Sequence, residues 1–221
     1  MVYGRFTCAR YGCGMRFLAP LLAALSLAAP ARAGELAVTL TTTSGKPIAD
    51  AVVMARPQGA ARSGARFPWA YRIAQKDMPF DPFVLIAPVG AEVAFPNLDP
   101  FRHHVYSFSP ARIFELKIYG RDETRRVRFD RAGVVAIGCN IHDDMSAFIR
   151  VVDTPFAART GVSGSAVLRD LPAGPVQVTV RHLCLGPGGE LTRDVTAPAA
   201  GQVRLALSGD LRSLRMRHSG Y

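Results

Sequence analysis

Gly133-Val134-Val135-Ala136-Ile137-Gly138-Cys139-Asn140-Ile141-His142-Asp143-Asp144-Met145 is the stretch on which the fold turns. An apolar, β-branched run between two glycines reads as a buried strand. It delivers a cysteine at its end, and the tight loop that follows offers a histidine three residues on and a methionine three beyond that. Upstream, Val93-Ala94-Phe95-Pro96-Asn97-Leu98-Asp99-Pro100-Phe101-Arg102-His103-His104-Val105-Tyr106 carries a histidine pair on a second strand-like segment. Thiolate, imidazole and thioether on one short loop fix three donors with little loop-closure entropy. A second imidazole from a neighbouring strand then clamps that loop to a sheet.

A trigonal set of one thiolate and two imidazoles, with a distant thioether, suits copper, because it meets both the soft cuprous and the harder cupric state moderately well. The thiolate has to be deprotonated, which a bound metal enforces. Structural zinc fits less well, since methionine is a poor zinc ligand and a fourth good donor is lacking unless Asp143 or Asp144 turns inward. Asp143 and Asp144 are adjacent on a tight loop and so point apart, which suits site charge or partner contact better than paired acid-base chemistry. The competing reading is a Cys139–Cys184 disulfide within a purely structural sandwich. His182 and Cys184 are close enough in sequence to suggest a second metal site, but a core or edge position in the C-terminal strands accounts for them.

Around this centre the pattern is β throughout. Leu36, Val38 and Leu40 alternate with Ala37, Thr39 and Thr41, Ser44-Gly45-Lys46-Pro47 makes a turn, and Ala51 to Ala55 resumes an apolar run, which predicts a hairpin. Residues 57 to 79 have no sustained period and read as a connecting loop that contains the single tryptophan, Trp69. From Phe80 to Thr154 the expected strands are 83–87, 91–95, 103–108, 113–118, 126–129, 134–137 and 147–152, with Tyr106, Phe108, Phe114 and Phe148 at inward positions. Three more are expected at 166–168, 176–182 and 203–207, with Leu171-Pro172-Ala173-Gly174 as a turn. Such spacing predicts an all-β sandwich or Greek-key barrel.

The N-terminus has the form of an export signal. Arg16 precedes an apolar run from Phe17 to Ala29, and Ala31-Arg32-Ala33 places small residues for cleavage after Ala33. Met15 just before this run suggests a later start. The run is short for a bilayer crossing, so stable membrane insertion after cleavage is not expected. Without residues 1–33, which hold four arginines and no acid, 23 basic face 17 acidic side chains, a charge of +6, and Cys139 and Cys184 are the remaining cysteines. Export and the absence of any aromatic-basic motif argue against nucleic acid. The basic clusters at 62–72, 121–128 and 211–217 read as solvated faces, or as steering for an acidic protein partner. The tail 211–221 is expected to fray.

At the residues quoted the chain resembles the cupredoxins, the plastocyanin and azurin superfamily. Val93 through Val105 is similar to their V-x-F-x-N-x-D/G…H-x-V strand, and Phe129, Ala132, Gly133, Cys139 and His142 match their second signature. The resemblance implies one copper ion on His103, Cys139 and His142 with Met145 as weak axial donor. It makes His103 rather than His104 the ligand and leaves His104, with Asn97, Asp143 and Asp144, to brace or tune the site. It further implies one-electron exchange with a redox partner protein in the periplasm and no enzymatic turnover, in keeping with the lack of a hydrolase triad, phosphate loop or nicotinamide fold. A copper carrier without electron transfer is the alternative for the same ligands.

The run Phe95-Pro96-Asn97, His103 to Pro110, Phe114-Glu115-Leu116, Cys139 to Asp143 and Val152-Asp153-Thr154-Pro155 is similar to the cupredoxin-type methylamine utilization proteins, over roughly 75 to 182. Gly45 to Val53 and Leu168 to Gly174 resemble the opening and closing strands of a carboxypeptidase regulatory-like sandwich. These likenesses give expected boundaries of 34–56 plus 156–210 for an accessory sandwich, 57–74 for a linker and 75–155 for the copper domain. Two departures stand out. Two residues separate His142 from Met145, where many members have three or four. The same spacing occurs in binuclear copper centres, but Val135 stands where their second cysteine is needed, which favours one ion.

Overall fold

The computed structural model describes residues 34–60, 65–185, 189–197 and 200–207. The expected signal segment and basic tail lie outside them. In chain order the strands are β1 (Gly34–Thr42), β2 (Val52–Pro57), β3 (Ala74–Gln75), β4 (Phe80–Asp81), β5 (Val84–Pro88), β6 (Ala91–Pro96), β7 (His103–Ser109) and β8 (Arg112–Tyr119). They continue with β9 (Thr124–Phe129), β10 (Gly133–Cys139), β11 (His142–Val152), β12 (Ala157–Arg159), β13 (Ser165–Leu171), β14 (Gly174–Arg181), β15 (Leu191–Ala197) and β16 (Ala200–Leu207). Among the described residues the only helical turn is the 3₁₀ turn Leu183–Leu185. The protein is all-β, and none of these residues forms a helix long and apolar enough to cross a membrane.

Five strands in the order β5-β11-β10-β7-β8 form one sheet, and the β6–β9 pair packs across from it in a Greek-key sandwich. Inward side chains alternate along these strands, Val135, Ile137 and Cys139 on β10 and Met145, Ala147, Ile149 and Val151 on β11. They close on Val93, Phe95, Val127 and Phe129. Burying each large aliphatic side chain contributes about 1.5–3 kcal/mol, so the far wall of the candidate site is held stiffly.

A second sandwich faces the sheet β13-β1-β16 to the sheet β12-β2-β14-β15. Here the expected hairpin is corrected. Thr41 bridges Pro47 and Thr42 N donates to Lys46 O, but the chain then crosses over, so β1 and β2 belong to opposite sheets. The reason lies in Val52 to Ala55, all four of which are buried. Val53 and Ala55 meet Leu36, Val38 and Leu40 in one core, while Val52 and Met54 pack outward on Val84, Ile86 and Val152 of the first sandwich. A strand covered on both faces reads as a continuous apolar run.

Three further expectations change. Residues 72–75 are more than a connection: Ile73 is fully buried, its N donates to Ala94 O, and Arg72 and Gln75 bridge Ala94 and Asn97. Phe108 is 79% exposed, because Tyr106 and Phe108 take the outer face of β7 while Val105 and Ser107 point in. Phe114 does pack on the core, against Phe95 and Phe129, and Phe148 packs edge-on to Phe83. The polar strand β15 and the short β12 were not expected. β15 pairs along its length with β14 and carries Arg193 and Asp194 on an exposed edge.

Candidate metal centre

β10 ends at Cys139 with a bulge between Gly138 and Cys139, and the two-residue turn Asn140-Ile141 returns the chain into β11 at His142, directly opposite Cys139. The Cys-x-x-His spacing is therefore the geometry of a hairpin turn. His142 Nδ1 lies 3.4 Å from Cys139 Sγ. β7, beside β10 in the sheet, brings in His103, whose Nδ1 lies 3.9 Å from the same sulfur. One donor atom from each of His103, Cys139 and His142 falls within 4.8 Å of the others. His103 is fully buried, Cys139 is a buried free thiol rather than half of a disulfide with Cys184, and His142 is half-buried. Met145, buried on β11, shares with Cys139 the same core cluster and the floor of an open groove of about 330 Å³.

Burial holds His103 below the usual histidine pKa. The hydrogen bond and charge of Asp99 oppose that shift, and His142 adds to it. Neutral imidazoles and a thiol are the forms that bind a metal once the thiol gives up its proton.

Among the expected supporting residues, Asn97 is fully buried and ties the loop together. Its Nδ2 donates to the carbonyls of Phe101 (2.8 Å) and Tyr119 (3.2 Å), and its Oδ1 accepts from Asp99 N (3.0 Å). His104 turns to β8, where its Nε2 lies 2.9 Å from Glu115 Oε1, and its ring leans on Tyr106. That bond, with Lys117 nearby, holds the Glu115 carboxyl below its usual pKa. Asp143 and Asp144 are exposed, and Asp143 borders the groove.

Sequence reasoning assigned no role to two neighbours. Asp99 Oδ2 is 2.7 Å from His103 Nε2. Phe101 sets its ring edge-on to both His103 (5.1 Å) and His142 (5.7 Å), a half-exposed apolar cover between the centre and solvent. The spacing Asp99-x-x-x-His103 stood inside the quoted upstream segment and was its visible signal. The basic cluster 121–128 is compensated by nearby acids, with Arg125 on Glu123, Arg126 on Glu92 and Arg128 on Asp130.

No protein-family model matches the chain, and no curated protein matches it. Solved structures similar to it include a purple cupredoxin from Nitrosopumilus maritimus, at 20% identity over 36% of this chain and 97% of that one, with a TM-score of 0.33. The Cu-containing nitrite reductase NirK from Thermus scotoductus SA-01 matches at 24% identity over 53% of this chain but 28% of its own, with a TM-score of 0.37. A reduced variant of amicyanin matches at 17% identity over 44% of this chain and 98% of its own, with a TM-score of 0.35.

Proposed function

We propose that the protein binds a single copper ion through His103, Cys139 and His142, with Met145 as a weak fourth donor, and serves as an exported one-electron carrier for a redox partner protein. The observation that carries this reading is the convergence of three donor atoms within 4.8 Å at the rim of a packed β-sandwich. A copper ion held there would exchange one electron with little ligand rearrangement, since thiolate plus imidazoles satisfies both oxidation states.

The chain supplies the rest. Cys139 would give up its thiol proton on loading, and the paired strands β7, β10 and β11 position the three donors. Phe101 covers the fully buried His103 ring, while half-buried His142 offers a short way to the surface. The leader before Gly34 sends the chain to the periplasm in this reading.

Adding cupric ion to the purified mature protein is expected to give an intense visible charge-transfer band saturating at one equivalent, abolished by Cys139→Ser. A colourless titration sinks the proposal. Tight binding without a reversible one-electron wave in voltammetry would instead identify a carrier that delivers the ion.

A further inference from the structure

Asp99 is 3% exposed and is gripped from three sides. Its Oδ2 meets His103 Nε2 at 2.7 Å, its Oδ1 accepts from Asp77 N at 2.6 Å, and Oδ2 accepts from Met78 N at 3.2 Å. Asp77 and Met78 both adopt positive φ, 56° and 77°, which turns two consecutive amides toward one carboxylate. Non-glycine residues seldom take that conformation, and two in succession persist only where the surroundings over-determine them. The segment before β4 is thus folded around this side chain.

We propose that Asp99 is a positioning residue of the metal centre, fixing His103 with Nδ1 turned to Cys139 and setting a negative charge against the ligands that favours cupric over cuprous copper. This rests on the copper reading above. An ionised carboxylate only accepts hydrogen bonds, so the shared proton sits on His103 Nε2, and the lone pair of the neutral ring is left on Nδ1. That is the nitrogen facing the sulfur.

The charge argument is independent of the tautomer. A buried carboxylate is costly unless a positive charge lies close by. Among the described residues no Lys or Arg pairs with Asp99, and its side-chain partner is the His103 ring, neutral in that form, so the compensating positive charge would be the bound ion. With the Cys139 thiolate it presents two negative charges, which balance a cupric ion and overbalance a cuprous one. An outer carboxylate also raises the basicity of the imidazole it holds.

Asp99→Asn keeps the shape and removes the charge. Its cupric affinity is expected to fall by about tenfold to a hundredfold, the range for loss of such outer partners. Cuprous affinity should fall much less, so the reduction potential rises by about 59 mV for each tenfold of difference. Equal losses in both affinities, leaving the potential where it was, overturn the charge role. Should the variant fail to fold, nitrogen-15 NMR of the wild-type apoprotein reads the tautomer directly. A proton on His103 Nε2 is expected, and one on Nδ1 overturns the positioning role. A wild-type protein that takes up no copper defeats the metal reading, whereas the tautomer still reports on Asp99 alone.

Discussion

The Tyr106 ring covers Gly138. A Cβ built on that glycine would sit 3.1 Å from both Cζ and Oη of the tyrosine, its direct partner across β7 and β10. Because Gly138 immediately precedes the bulge that aims Cys139, the contact links the outer face of the sheet to the donor on its rim.

Tyr106 is flanked by His104 and Phe108, with ring centroids 5.7 and 5.3 Å away, so it cannot swing freely along the face. Gly138→Val is expected to destabilise the fold by about 1–3 kcal/mol, the range for overpacking. Gly138→Ala should cost less, with the Tyr106→Ala background removing the difference between them. Urea midpoints across the four proteins test this, and an unchanged gap in the Tyr106→Ala background sinks it.

The two histidines differ in access. His103 is fully buried behind Phe101, whereas His142 is half-buried on the turn. Truncating each to glycine should remove the copper band in both variants. Added free imidazole should restore most of it in His142→Gly and none in His103→Gly. Equal rescue of the two would mean that the buried position opens to solvent.

What could be read from the chain was whatever depends on near neighbours. Cys139 and His142 are three residues apart because a two-residue hairpin turn joins their strands, and that regularity shows in the sequence. Asp99 was inside a quoted segment, but its burial depends on Asp77 and Met78 folding around it from the other side of β6, which no local pattern reveals. The hairpin expected at 44–47 failed for a related reason. The turn forms, but the double-sided burial of Val52 to Ala55 is a tertiary fact, and a short apolar run cannot tell a hairpin partner from a strand shared by two cores. Phe108 was misplaced because alternation gives the period of a strand but not which face is covered.

Tyr119 is fully buried. Its hydroxyl donates to Phe95 O at 2.9 Å and accepts from Gln75 Nε2 at 2.5 Å. Burial pushes its phenol pKa up to about 12 from 10.0. The unfolded chain therefore releases this proton first, and the stabilisation is complete below pH 10 and is lost as pH rises through 12. A rise of that size corresponds to about 3 kcal/mol. Between pH 10 and 12 the urea midpoint of the wild type should fall more steeply than that of Tyr119→Phe. At pH 7 the variant should be the weaker by about 1–3 kcal/mol, since it strands two buried polar groups. Parallel slopes for the two proteins would remove Tyr119 from the alkaline limb.

The two sandwiches share the cluster of Val52, Met54, Val84, Ile86, Val152 and Ala157, and Trp69 Nε1 donates to the carbonyl of Ile86 at its edge. Trp69 is the single tryptophan, so its fluorescence reports on this junction and on nothing else. Ile86 is 3% exposed, and Ile86→Ala should cost about 2–5 kcal/mol, as other large-to-small changes in packed cores do. Because β2 and β5 each complete a core on one face and this junction on the other, loss of the junction loosens both cores together. Denaturation of the apoprotein followed by Trp69 fluorescence and by far-ultraviolet circular dichroism should therefore give one coincident transition, shifted to lower denaturant in Ile86→Ala. Two separated transitions in the wild type would show that the sandwiches fold independently and that the shared cluster couples them too weakly to matter.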